Sequence, residues 1–82
     1  MKVSLHGLYR FIQIKTGDVT YLELDQIPDK DERLYTMQLL MQLGTNLRSE
    51  ADLRRIEHML EEIVANESIC ALEALERLVM LL

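Results

Sequence analysis

The stretch Ser68 to Leu82, SICALEALERLVMLL, limits the fold more than any other part of this chain. Wound at about 100° per residue, Glu73, Glu76 and Arg77 share one narrow stripe, while Cys70, Ala71, Leu72, Ala74, Leu75, Leu78, Val79, Leu81 and Leu82 occupy most of the remaining circumference. A helix over 68–82 with so little polar surface needs cover on several sides. It reads as the centre of a small bundle, with part of its face open to a second chain. Leu75 and Leu78 lie roughly 60° apart on the apolar arc, so at least one is expected to be fully buried.

The length of 82 residues makes residues 1–82 a single domain. A chain this short hides only about 60% of its unfolded surface. Yet 49% of its residues are apolar, and one cysteine permits no intramolecular disulfide. Self-association compensates for a small core, and a homodimer is the expectation. Its interface is placed at Leu78, Leu81 and Leu82, with Leu40 or Leu43 facing them. Nine Lys and Arg against fourteen Asp and Glu give a net charge of −5, which repels phosphate backbones and anionic lipid heads. The stretch MKVSLHGLYRF lacks the apolar core of a signal peptide, and no run reaches the length of a membrane span, so a cytoplasmic location is expected.

From Tyr9 to Leu24 the sequence pairs as a β-hairpin with Thr16-Gly17 at the turn. That register sets Lys15 against Asp18, Ile12 against Tyr21 and Arg10 against Glu23. The competing pattern is helical, because Leu5, Leu8, Tyr9 and Ile12 also fit the i, i+3, i+4, i+7 spacing of a helix from about Leu5 to Ile14. After Pro28, Asp29 and Glu32 form a capping signature, and Gly44 supplies a stop, giving a helix over 30–43. Ser49 with Asp52 opens another helix through about Ala65, whose Leu53, Ile56, Met59, Leu60, Ile63 and Val64 share one face. Ser68 is the expected cap of the last helix. The fold class expected from these elements is α+β, an N-terminal β-hairpin followed by three helices, with an all-α four-helix bundle as the alternative.

No constellation for chemistry emerges. Glu57, Glu61 and Glu62 belong to the solvated side of an amphipathic helix, where His58 and Glu62 can pair at i, i+4. His6, His58 and Cys70 do not have zinc-ligand spacing, and Cys70 reads as a small buried hydrophobe. No cofactor is expected. Met37, Met41, Met59 and Met80 read as fillers of core gaps.

The junction LMQLGTNLRSEADLRRI, preceded by a strand, resembles the ribbon-helix-helix repressors, over about half of the chain. The resemblance implies paired strands that enter the major groove of DNA. The strand it would use, VTYLEL, contains Glu23 and no Arg or Lys, so the side chains that read bases are missing. In the helix-turn-helix alternative around Gly44, Glu50 occupies a position that motif gives to an aliphatic residue. The chain is therefore read as a small acidic, non-enzymatic interaction module: a homodimeric adaptor, anti-activator or inhibitor that binds another protein. A dimeric DNA-binding regulator of ribbon-helix-helix type is the alternative.

Overall fold

The computed structural model describes residues 3–82, and among them there is no strand. Four helices, α1 (Leu5–Thr16), α2 (Lys30–Thr45), α3 (Glu50–Asn66) and α4 (Ala71–Leu81), are joined by short links and by one 3-10 turn, Leu24–Gln26. The architecture is the all-helical alternative, and the N-terminal β-hairpin is overturned. α1 starts where the Ser4 hydroxyl accepts the Gly7 N–H at 3.0 Å, and it stops at Gly17, whose φ of 73° lies in the left-handed region open to glycine.

Side-chain periodicity explains why the helix wins over the ribbon. Leu8, Tyr9 and Ile12 are all buried on the face that α1 turns to α2 and α4. In a strand, Tyr9 and Ile12 would point to opposite faces, and a lone two-stranded ribbon could cover only one of them. The loop after Gly17 nevertheless folds back along α1, so Arg10 still meets Glu23 at 3.2 Å, with His6 on the same carboxylate at 3.3 Å. Side chains rather than a strand ladder satisfy this loop. Gln13 donates to the Tyr21 carbonyl, and the Gln26 side-chain oxygen accepts the N–H groups of Leu22 and Glu23 at 2.9 and 3.1 Å.

α2 begins at the expected cap, with the Asp29 carboxylate accepting the N–H groups of Asp31 and Glu32, but the Glu32 side chain does not return the bond that a capping box requires. Its end differs, because Gly44 remains helical. The Thr45 hydroxyl and the Asn46 amide both donate to the Gln42 carbonyl, at 2.7 and 3.0 Å, so the last turn closes without a left-handed glycine. At the start of α3 the Ser49 hydroxyl accepts the Asp52 N–H at 3.4 Å, and the Asp52 carboxylate accepts the Arg48 N–H at 2.9 Å. That second bond holds the Asp52 carboxyl below the usual aspartate range.

α4 starts three residues later than Ser68. Cys70 occupies its N-cap with no side-chain bond, and the Asp18 carboxylate, 53 residues away in sequence, accepts the Ala71 N–H at 3.0 Å. Cys70 is exposed, which corrects its reading as buried: it lies outside the helix in extended conformation and so does not follow the apolar arc. α4 packs on α1, α2 and α3 together. Both Leu75 and Leu78 are buried, and the small Ala71 and Ala74 on the same face are buried with them. Leu8 and Ile12 of α1, Leu40 and Leu43 of α2, and Ile56 and Leu60 of α3 complete the core. Exposed polar ties run between helices, Lys15 to Glu57 and Glu61 at 3.5 and 3.3 Å and the Tyr35 hydroxyl to Glu76 at 2.6 Å. Solvent screens all of these contacts, so packing dominates.

The two glycines at helix ends should respond oppositely to alanine. Gly17→Ala forces a Cβ into a left-handed conformation and should cost about 1 kcal/mol. At Gly44 an added Cβ would meet Leu8 Cδ1 at an ordinary 3.7 Å, so Gly44→Ala should stabilise by about 0.5 kcal/mol. Thermal melts of the two variants should shift in opposite directions.

Asp18 should carry part of the acid sensitivity. The Ala71 N–H, helped by the hydroxyl and N–H of Thr20, holds its carboxyl below the usual aspartate value despite some desolvation. A depressed folded pKa stabilises fully above the unfolded value of about 3.9, and this contribution disappears as pH falls through the lower folded value. Asp18→Ala should cost about 1 kcal/mol near neutrality, the loss of one helix cap. Urea titrations at about pH 6 and about pH 2.5 should show the gap between wild type and variant narrowing on acidification. A gap that stays constant would contradict the assignment.

Candidate interaction surface

The C-terminal half of α4 and the adjoining face of α3 form a groove, apolar where Ile63, Met80 and Leu81 line it and polar towards Glu62, Asn66 and Glu67. Amphipathic α3 turns Ile56 and Leu60 into the core and leaves Met59 and Ile63 half-buried at its edge. On α4, the residues that follow the buried Leu78 turn outward: Met80 is 85% exposed and Leu81 64%. Two adjoining hollows of about 320 and 310 Å³ lie here and share Ile63, Arg77 and Leu81 as walls. Arg77 is fixed between them by Glu67 and by Glu73, the latter at 3.4 Å, so its charge is largely neutralised and its stem extends the apolar wall. Such a surface can accept an apolar side chain from outside.

A second exposed apolar patch arises where α1 meets its following loop. Ile14, Val19 and Leu22 surround a hollow of about 200 Å³ beside Arg10 and Gln13. Another hollow, of about 480 Å³, lies between the start of α1, the 3-10 turn and α2, with Leu5, Leu24 and Met37 among its walls. Its basic side chains are already engaged, the His6 imidazole against the Glu23 carboxylate at 3.3 Å and Arg33 through a 2.9 Å bond to the Ile27 carbonyl.

The five residues placed at an interface divide in two. Leu40, Leu43 and Leu78 are 0% exposed within the single chain and belong to its own core, whereas Leu81 and Leu82 are exposed, Leu81 as a wall of the groove. The methionines divide as well. Met41 and Met80 are exposed, against their reading as core fillers, while Met37 and Met59 pack on the core. The apolar arc of 68–82 foreshadowed Leu81; the outward Met80 required knowing which side of α4 the other helices cover.

His58 pairs with Glu62 at 3.3 Å on the outer side of α3, as its spacing suggested. Among the described residues no three His, Cys, Asp or Glu side chains gather so as to hold a metal ion. Among the same residues no helix is long and apolar enough to cross a membrane. The segment VTYLEL, which would be the reading strand of a ribbon-helix-helix protein, is loop and 3-10 turn. Comparison with known proteins yields no matching family model, and neither a curated protein nor a solved structure shows significant similarity to this chain.

Proposed function

We propose that the protein is a non-catalytic, cytoplasmic interaction module that pairs with a second copy through the α3–α4 groove and docks another protein on the Ile14, Val19 and Leu22 patch. The observation that carries the reading is the protruding Met80 beside a hollow walled by Ile63 and Leu81. A two-fold pairing requires one patch to supply both projection and recess, and this patch has both. Met80 of one copy can then enter the groove of the other, as an apolar anchor in a pocket that excludes water. Each subunit keeps its second apolar patch on a different part of its surface, formed by α1 and its loop, which suits an adaptor or an inhibitor that occupies a partner's surface.

Nucleic acid fits this surface less well. Arg48, Arg54 and Arg55 are exposed at the start of α3 but alternate with Glu50, Asp52 and Glu57, and Asp52 lies 3.9 Å from Arg55. Random duplex DNA should therefore show no retardation at low salt, and tight, salt-sensitive binding would count for the regulator instead.

Sedimentation tests the pairing. At micromolar concentration the wild type should run at twice its 9.6 kDa chain mass. Met80→Glu, which places a charge in the contact without touching the core, should weaken association by roughly tenfold or more with an unchanged helical spectrum. A wild type that remains a monomer at high micromolar concentration would overturn the homodimer.

A further inference from the structure

A small cleft, apolar over most of its wall but with polar groups among its lining, opens between α1, α2 and the start of α4, beside the loop that carries Val19 and Leu22. Its volume is about 140 Å³, and its walls carry the carboxylates of Asp18 and Glu32, the phenols of Tyr9 and Tyr21, and the apolar Ile27 and Leu72. No Lys, Arg or His is among the residues lining it. The Asp18 oxygens are committed to Thr20 and Ala71, but among the described residues the Glu32 carboxylate has no ion pair and no hydrogen bond. Tyr9 is only 7% exposed, yet its hydroxyl has no hydrogen-bond partner among the described residues. Burial first, then the Asp18 and Glu32 carboxylates, hold Tyr9 above the usual tyrosine pKa, which keeps its phenol neutral and able to accept a hydrogen bond.

We propose that this cleft receives the ammonium or guanidinium group of one lysine or arginine side chain, presented by the protein that docks on the adjoining apolar patch. Two carboxylates without a cation in the lining favour a positive group. The Tyr9 hydroxyl, the solvent-open end of a side chain otherwise buried, offers it an acceptor, and the two phenol rings favour a cation over a neutral amide. The volume selects a single side chain, since pockets that bury whole small molecules run to about 300–1,000 Å³. The loop from Asp18 to Leu22 ties the two surfaces together: Asp18, Thr20 and Tyr21 line the cleft, while Val19 and Leu22 line the patch. A partner segment with a basic residue flanked by apolar ones matches both. The source of the cation rests on the docking reading above; the cleft's preference for a cation does not.

Amide NMR titration of the full chain tests the two separately. N-propylguanidinium chloride should shift the Thr20, Tyr21 and Ala71 amides saturably, and the neutral isostere N-propylurea should not. Glu32→Gln should weaken that binding roughly fivefold, the scale of one partly screened charge pair. Tyr9→Phe should weaken it as well while preserving the ring's packing. Shifts that are absent, equal for propylurea, or unchanged by both variants would overturn the site. Acetyl-Leu-Arg-Val-amide should bind more tightly than propylguanidinium and should also shift the Ile14 and Val19 amides. Equal affinity, or tighter binding of spermidine than of the peptide, would overturn the assignment to a protein side chain while leaving the cation preference visible.

Discussion

The fold depends on the burial of one short helix against three others. At eleven residues α4 is shorter than the roughly 12–15 needed for marginal stability in isolation, so its structure comes from packing. Ala71, Ala74, Leu75 and Leu78 give it a face that is small at its start and bulky further on, and α1, α2 and α3 all rest on it. Asp18 fixes where that helix begins by meeting its first N–H from the loop after α1. The same contact brings residues 18–22 against the bundle and so positions both surfaces to which we assign partner contacts.

Much of the helical frame was legible in the residues, because caps are local devices. Asp29 and Ser49 marked the starts of α2 and α3 through side-chain bonds within three residues. The first element was misread for a physical reason. Opposite charges at Lys15 and Asp18 and at Arg10 and Glu23 are in register for a hairpin, but a loop that folds back along a helix can satisfy the second pair equally well. Lys15 instead reaches Glu57 and Glu61 on α3, contacts that no local pattern contains. The cap of α4 was equally hidden, since its donor and acceptor are 53 residues apart.

The candidate surface was visible only in part. A helix apolar over most of its circumference needs several neighbours, and the sequence suggested a second chain among them. Three helices of the same chain cover Leu75 and Leu78, which leaves the turn after them, Met80 to Leu82, facing out. Leu40 and Leu43 likewise serve the chain's own core. The partner contacts we propose would therefore add to a closed core at α4's outward turn and at the α1 loop, where Ile14 is left outside by the same helical period that buries Ile12.

The central claim is that a single chain closes its own core and that association is added at the surface. The most direct measurement is the helical circular dichroism and thermal unfolding of the protein at a concentration where sedimentation shows only monomer. The account predicts a monomer with full helical signal and one cooperative transition. Loss of helix in parallel with dissociation would contradict it, because the core would then belong to the dimer and not to the chain.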